Sequence, residues 1–171
     1  MQISRILRPI FCKYPMLNIH LITIGKLKES YWREAEAEYL KRLKPYAKIR
    51  LTELTEEPFR DGSDRDKIKA KEADKIKKHL SDRAIIIAMH EQGKQFSSTE
   101  LAEFLNNKST HGDELTFVIG GSLGLHESIL ELAQYQLSLS PLTFPHQLAR
   151  VILCEQLYRS ATILQKKTYH Y

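Results

Sequence analysis

Two apolar runs constrain the fold of this chain most: AIIIAM at 84–89 and LTFVI at 115–119. A strand that is apolar along nearly its whole length has both faces covered, as in a parallel sheet with helices on each side. A third segment, LNIHLITI at 17–24, alternates apolar and polar residues and stops at Gly25, which is typical of a strand. These segments predict a sheet whose two faces are both covered by helices.

Between the predicted strands, apolar residues recur at helical spacing. Tyr31, Ala35, Tyr39 and Leu43 repeat every four residues before Pro45 and predict an amphipathic helix. The remaining segments predict, in chain order, a strand at 48–54, a charged helix marked by apolar residues from 68 to 80, a helix beginning near Ser97 or Ser98, a short helix at 126–134, a strand around 135–140 and a long helix from 146 to about 165. This alternation predicts one α/β domain with a mostly parallel sheet and helices on both faces.

The long last helix is apolar nearly all round, so several of its faces must be covered. One of these faces is expected to meet a second subunit.

The net charge of the chain does not by itself identify a partner. With 26 Lys and Arg against 21 Asp and Glu, the formal charge is +5, a sign often associated with nucleic-acid binding. However, residues 1–15 contain Arg5, Arg8 and Lys13 and no acid, so they hold +3 of that total. The rest of the chain is nearly balanced, which argues against a protein that coats RNA through phosphate contacts alone.

Residues 1–15 are predicted to form an N-terminal extension outside the single domain, which we assign to 16–171. The extension lacks the apolar region and cleavage site of a secretory signal peptide, and Met16 stands directly before the first strand. No stretch is apolar over the roughly 18 residues that a membrane helix needs. The two cysteines, Cys12 and Cys154, suit a reducing compartment. The sequence therefore predicts a cytoplasmic protein without a membrane segment.

The loops that follow the buried strands are where a parallel sheet binds ligands. The loop after the first strand, GKLKES at 25–30, has one glycine and lacks the glycine-rich dinucleotide fingerprint. The chain also has no P-loop, HExxH or CxxC motif. The usual signals of dinucleotide binding, nucleotide hydrolysis and zinc chemistry are missing, and we expect no metal at the site.

Three later loops have features of a ligand site. Gly120 and Gly121 follow an apolar run, with Gly124 nearby, and would leave backbone amides open to a close ligand; a tight turn would need the same glycines. Gly93, after the other apolar run, is a weaker signal. The loop at 138–147 combines hydroxyls with apolar side chains, which suits an amphipathic ligand such as an adenine nucleoside. An ordinary start of the last helix would also explain that loop.

The exact sequences of the late segments indicate a family more specifically than their composition does. FVIGGSLGL, LSLSPLTFPHQLARVILCEQLYR and a terminal Tyr-His pair resemble the RlmH family of SPOUT methyltransferases, which methylate a pseudouridine of large-subunit ribosomal RNA. The resemblance begins at Met16 and includes the segments IGKLKESYW, EYLKRLKPY and GKQFSS. Residues 1–15 lie outside it.

The resemblance implies an α/β fold whose C-terminal part forms a deep trefoil knot. It also implies a homodimer that uses S-adenosylmethionine to methylate N3 of a pseudouridine in 23S ribosomal RNA, which we expect to happen on the assembled ribosome. Cofactor contacts are implied at Met89, Gly120, Leu139, Ser140, Pro141, Leu142, Thr143 and Phe144. These residues lie in the three loops that the sequence itself singles out.

On the acceptor side, N3 of pseudouridine is a weak acid, and a nearby cation or hydrogen-bond donor would stabilise its anion. The candidates for this role are His146, Arg150 and Arg159 on the last helix and Tyr169 and His170 in the tail. In the resembled family the tail completes the active site across the dimer, which favours the tail pair. Tyr171 stands where the family usually has a basic residue, so a phosphate contact from that position is not expected.

Each candidate has a structural alternative. Arg159 lies four residues after Glu155 and could form an intrahelical ion pair. His146 could simply cap or line the cofactor loop, Arg150 could be satisfied by backbone carbonyls, and the tail could be a frayed chain end. Two functional alternatives also stay open: a SPOUT enzyme with another RNA target, and a catalytically silent module for RNA binding or ribosome assembly.

Overall fold

The computed structural model describes residues 16–109 and 112–167, in which strands and helices alternate without exception. In chain order the elements are β1 Leu17–Ile24, α1 Ser30–Leu43, β2 Ala47–Leu54, α2 Arg65–Lys77, β3 Ile85–Gln95, α3 Ser98–Lys108, β4 Glu114–Ile119, α4 Glu127–Leu132, β5 Tyr135–Ser138 and α5 His146–Leu164.

The strands form one sheet in the order β2-β1-β4-β3-β5, and every neighbouring pair is parallel. The α/β class predicted from the alternation of elements is therefore confirmed. Because all of these strands run the same way, their carboxyl ends lie along one edge of the sheet, and the loops that follow them share that edge. The trefoil knot implied by the family resemblance stays a prediction.

Helices cover both faces of the sheet, as the continuous apolar strands require. On one face, α1, α3 and α5 pack over Leu21 and Phe117, which are fully buried. On the other face, α2 and α4 pack over Ile22 and Val118, which are also fully buried. Burial on both faces explains why β4, at the centre of the sheet, is mostly apolar.

Strand β3 differs most from its prediction, which ended it at Met89. It extends to Gln95 because it resumes pairing with β5 after a bulge, so that Met89 and Lys94 both pair with Leu137. A Cβ at Gly93 would lie 2.7 Å from backbone atoms of Leu137, closer than real contacts allow. Gly93 therefore serves the close approach of two strands.

Helix α3 begins where its sequence predicted. The Ser97 hydroxyl accepts a hydrogen bond from the Glu100 amide at 3.2 Å, and the Glu100 carboxylate accepts one from the Ser97 amide at 2.7 Å. This reciprocal pair is a capping box. It identifies Ser97, rather than Ser98, as the N-cap.

Helix α1 buries a narrower stripe than its spacing indicates. Leu43 is fully buried and Tyr39 packs against the core, but Tyr31 is 57% exposed. Glu36, a charged residue, is instead only 6% exposed. The stripe therefore starts one turn later than predicted, and it includes a carboxylate whose partner is described below.

Helix α5 spans almost the predicted residues and packs against α1 and α3. Its Cys154 is fully buried, and burial raises the pKa of that thiol to about 12. The thiol is therefore protonated and packs as a small apolar group, as predicted. Within the described ranges no helix, α5 included, combines the length and the apolar character that a membrane crossing demands.

Candidate active site

A cleft of about 770 Å³ opens at the carboxyl edge of the sheet, where β3, β4 and β5 end. Its volume is in the range of small-molecule binding sites. Its wall includes seven of the eight residues predicted to contact a cofactor: Met89, Gly120, Leu139, Ser140, Leu142, Thr143 and Phe144. Pro141 belongs to the same loop as the last five but is not on the wall. The fold thus brings together the three loops singled out in the sequence.

The loop after β4 presents nearly bare backbone to this cleft. A Cβ at Gly120 would lie 2.7 Å from the carbonyl carbon of Gly124, so no larger residue fits without moving the loop. Gly124 has φ +79°, and its amide donates to the Gly121 carbonyl at 3.0 Å, which closes the turn. The glycines therefore serve the tight turn, and the same turn lines the cleft.

The loop between β5 and α5 is held in shape by its own serines. The Ser138 hydroxyl donates to the Ser140 carbonyl at 2.9 Å, and the Ser140 hydroxyl accepts from the Leu142 amide at 3.0 Å. Leu142 nevertheless leaves 71% of its surface exposed. Burial of such a side chain by a ligand is favourable, so this loop offers an ordered apolar wall beside hydroxyl groups.

Glu56, which the sequence did not single out, lies at the same edge. One of its oxygens accepts from the Ser122 hydroxyl at 2.8 Å and from the Ser122 amide at 3.2 Å. A Cβ at Gly25 would lie 3.5 Å from His146 Nε2 and 3.8 Å from the other Glu56 oxygen, so the imidazole and the carboxylate are neighbours on the same side of Gly25. Burial raises the pKa of Glu56, but the bonds from Ser122 and the charges of His146 and Lys28 outweigh it and hold that pKa below its usual range. Glu56 is therefore ionised at neutral pH.

The segment that carries Glu56 is tied to α2. The Glu57 amide donates to the Glu72 carboxylate at 2.9 Å, and Lys75 Nζ donates to the Thr55 carbonyl at 2.7 Å. Burial raises the pKa of Glu72, and the charge of nearby Glu56 adds to this, despite the hydrogen bond from Glu57. Glu56 could have been found from the sequence, because it comes directly after a predicted strand, where ligand loops begin.

Arg150 does not lie on the wall of the cleft. It is 3% exposed, and its guanidinium donates to both carboxylate oxygens of Glu36, to Glu53 at 2.8 Å and to the Thr23 hydroxyl at 3.2 Å. Burial lowers the pKa of Arg150, but the bonds and charges of Glu36 and Glu53 outweigh it and raise that pKa above its usual value. These carboxylates, and not the backbone carbonyls that we had considered, hold the guanidinium. Through Glu36, Thr23 and Glu53, the guanidinium joins α5 to α1, β1 and β2.

The other predicted candidates on the acceptor side lie apart from Arg150. His146 is on the wall of the cleft, in the first turn of α5. Arg159 forms the predicted intrahelical ion pair, with its Nη2 2.6 Å from Glu155. Tyr169 and His170 lie outside the described residues.

Comparison with known sequences decides the family. A family described as "Predicted SPOUT methyltransferase" matches residues 17–170. The chain belongs to the SPOUT methyltransferase family. This confirms the family-level resemblance and excludes residues 1–15 from the match, although the boundaries of the domain stay a prediction.

One curated relative of this SPOUT chain is the "Ribosomal RNA large subunit methyltransferase H" of Bifidobacterium adolescentis. It is 48% identical over 159 residues, which cover 90% of this chain and 99% of the relative. Two solved structures, described as methylase family proteins, support the fold alone. The one from Haemophilus influenzae has a TM-score of 0.53 at 15% identity and covers 92% of this chain and 72% of its own. The one from Neisseria gonorrhoeae has a TM-score of 0.50 at 14% identity and covers 89% of this chain and 86% of its own.

The SPOUT cleft also contains polar residues that the sequence did not indicate. Lys69 of α2 and the pair His90 and Glu91, in the bulge of β3, lie on its wall. Neither these residues nor any other His, Cys, Asp or Glu in the described ranges forms a cluster of three that could hold a metal ion.

Proposed function

We propose that this protein is an S-adenosylmethionine-dependent methyltransferase that methylates N3 of a pseudouridine in 23S ribosomal RNA. The observation that carries the proposal is the cleft at the carboxyl edge, whose wall includes seven of the eight implied cofactor residues. It occurs in a SPOUT chain that is 48% identical to a ribosomal RNA large subunit methyltransferase H.

The residues of the cleft fit S-adenosylmethionine in kind. The apolar side chains of Leu139, Leu142 and Phe144 suit an adenine ring, and the nearby hydroxyls suit polar groups of the same ligand. The bare backbone at Gly120 permits a close approach. When bound, this cofactor supplies an electrophilic methyl group on a sulfonium sulfur. The protein must then align the acceptor nitrogen with that methyl group.

On the acceptor side, His146 is the candidate that the fold places at the cleft. The carboxylate of Glu56 lies nearby, because both groups come within 4 Å of the point that a Cβ of Gly25 would occupy. A protonated imidazole could favour the N3 anion, and a neutral one could accept the N3 proton. We assign His146 to this acceptor side, together with Tyr169 and His170 of the tail.

The active unit in this proposal is a homodimer that works on ribosomes in the cytoplasm. Helix α5 keeps apolar side chains only half-buried within one chain, among them Ile152, Ile163 and Leu164. A second copy packed against these side chains would bury them. The family resemblance implies that the tail of each copy then completes the active site of its partner.

Mass spectrometry of ribosomal RNA tests the proposal directly. Large-subunit RNA from a deletion strain should lack one methyl group on one pseudouridine, and the wild-type gene should restore it. Complementation with the Lys48→Gln variant, which changes an exposed lysine of β2, should also restore it. An unchanged RNA spectrum after deletion would contradict the proposed substrate.

Calorimetry with S-adenosylmethionine tests the cofactor separately. A methyltransferase should release heat on binding, whereas a silent RNA-binding module that has lost the pocket should not. Methylation of whole ribosomes should also be faster than methylation of bare RNA fragments, because a nearly balanced charge gives little affinity for RNA phosphates alone.

A further inference from the structure

The exposed ring of Tyr31 has no role in the core or in the cleft. It lies in the first turn of α1, directly after the loop that leaves β1 at the carboxyl edge. Its side chain is 57% exposed, and its ring lies 4.9 Å from the ring of Trp32, measured between centroids. The ring of Tyr31 therefore contacts Trp32 at an interplanar angle of 60° and leaves more than half of its surface open to solvent.

The loop before Tyr31 presents two lysines from a fixed backbone. Lys26 and Lys28 are exposed, while Leu27 between them is only 4% exposed and anchors the loop. The Arg33 guanidinium donates to the Leu27 carbonyl at 3.0 Å and also to the Lys28 carbonyl. From residue 25 to residue 33 the chain has three cations and one acid, Glu29. We call Lys26, Lys28 and Tyr31 the β1 rim.

The β1 rim lies close to one wall of the cleft. Gly25, the residue before Lys26, has φ +87°, and a Cβ there would lie 3.5 Å from His146 Nε2, on the wall of the cleft. Lys28 is close enough to Glu56 to act on its charge. A chain bound along the β1 rim would therefore lie beside the acceptor side of the cleft.

We propose that the β1 rim binds the ribosomal RNA strand that carries the acceptor nucleotide, with Tyr31 stacking on an unpaired base and Lys26 and Lys28 contacting phosphates. The inference rests on the proposed function, because a base that is methylated must leave its stack to reach a cleft of this kind. Proteins hold such strands with aromatic rings for the bases and cations for the backbone. The centres of protein–protein interfaces, in contrast, are depleted in lysine, which favours RNA over a second protein here.

Steady-state methyl transfer to ribosomes from the deletion strain tests the two parts of the β1 rim separately. Tyr31→Ala should raise the KM for ribosomes about tenfold or more through the lost stacking, with little change in kcat, and Tyr31→Phe should restore the wild-type KM. The double variant Lys26→Gln/Lys28→Gln should reduce the slope of log affinity against log salt by about 1.4, as for two phosphate contacts on a single strand. Lys48→Gln, on β2, should leave both readings unchanged.

Three further measurements distinguish a loss of RNA binding from a damaged cofactor site, a changed subunit mass and a failure of the proposed function. Calorimetry should show wild-type affinity for S-adenosylmethionine in the rim variants, and light scattering should show wild-type mass. The inference would be overturned if the rim variants kept the wild-type KM and salt slope. It would also be overturned if Tyr31→Ala had a lower mass, because the surface would then be a subunit interface. Co-sedimentation with ribosomes measures binding without catalysis. If the wild-type protein transfers no methyl group but the rim variants still lose binding, the proposed function fails and the rim is supported.

Discussion

The two halves of this sheet hold polar groups in opposite ways. In the amino half, His20 is fully buried, its Nε2 lies 2.8 Å from the Thr52 hydroxyl, and Arg50 donates to both oxygens of Glu114 at 2.9 Å. At the carboxyl edge, Glu56 accepts a hydrogen bond from Ser122, and Ser122 and His146 line an open cleft of about 770 Å³. In the amino half the polar side chains pair with one another, although Arg50 is 55% exposed, whereas at the carboxyl edge polar groups lie next to open space.

The two regions differ in what their polar groups do: some hold the fold together, and others lie beside a candidate ligand site. In the amino half the side chains mainly satisfy one another, so their removal should change the stability of the fold. At the carboxyl edge the loops are held by internal bonds while their backbone and apolar side chains stay exposed. Changes in the loops that line the cleft should affect ligand binding more than stability, whereas Arg150, which is buried at the same end of the sheet, has a structural role.

The largest expected effect is on stability and comes from Arg150, which joins the helices to the carboxyl half of the sheet. Arg150→Ala would leave the buried Glu36 carboxylate without its main partner, and removal of one partner from a buried pair costs about 3–5 kcal/mol of unfolding free energy. Urea denaturation measures this. Lys67→Ala, which breaks an exposed ion pair with Asp64, should cost less than about 1 kcal/mol. Equal losses in the two variants would contradict the structural role of Arg150.

The second prediction concerns the glycine loop of the cleft. Gly120→Ala places a Cβ 2.7 Å from a backbone atom of Gly124, so the loop must move. Overpacking of this kind costs about 1–3 kcal/mol, and we expect affinity for S-adenosylmethionine to fall about tenfold or more in calorimetry. Gly62→Ala, at a positive φ with open space around it, should lower stability slightly and leave this affinity unchanged. Wild-type affinity of Gly120→Ala would mean that the loop does not line the bound ligand.

The third prediction tests Glu56 as a positioning residue. Glu56→Gln keeps the size of the side chain but removes the charge that accepts two hydrogen bonds from Ser122. A charged hydrogen bond is worth about 1 kcal/mol more than a neutral one, so kcat/KM for methyl transfer should fall about fivefold with the melting temperature nearly unchanged. The matched control is Glu57→Gln, whose carboxylate pairs with Lys75 instead. If both variants keep wild-type kcat/KM, Glu56 does not position the site.

The smallest effect concerns the amino half and depends on pH. Burial lowers the pKa of His20, and Arg50 and His79 lower it further against the opposing charge of Glu114. In the unfolded chain His20 takes up a proton near pH 6.5. In the folded chain it does so only at lower pH. The free energy of unfolding should fall as the pH drops below about 6.5, by at most about 1.4 kcal/mol per pH unit for one group, until the pH reaches the folded pKa.

Melting temperatures at about pH 7.5 and about pH 5.5 measure this linkage. His20→Gln should lose less stability than the wild-type protein between the two values, and His79→Gln, an exposed position, should retain most of the wild-type loss. An equal loss in His20→Gln and the wild-type protein would show that His20 is not the group involved.

The order and type of the elements were largely predictable. Local spacing placed α5 within a residue of its observed bounds, and it placed the start of α3 near Ser97 or Ser98, of which the structure selects Ser97. Strand β3 was predicted too short because its second half depends on pairing with β5 across a bulge. That pairing requires Gly93. Because glycine has no side chain, it adds nothing to the apolar pattern from which a strand is predicted.

The candidate site was predictable only in part. The loops that line the cleft contain glycines and hydroxyls that mark them individually, and the family resemblance connects them. Glu56 and Tyr31 were not recognised, because a glutamate after a strand and a tyrosine at helical spacing are common in any α/β chain. Their importance depends on what lies beside them in the fold.

The sequence by itself determined the α/β class, the parallel sheet and the loops that line the cleft. Apolar spacing reports which side of an element faces the core, and that information is local. Only the tertiary structure decided that Arg150 binds Glu36, 114 residues away, rather than facing the cleft. It also decided that Glu56 lies beside His146 and that Tyr31 faces solvent. A side chain's partner depends on which elements the fold packs together, and spacing along the chain contains no record of that choice.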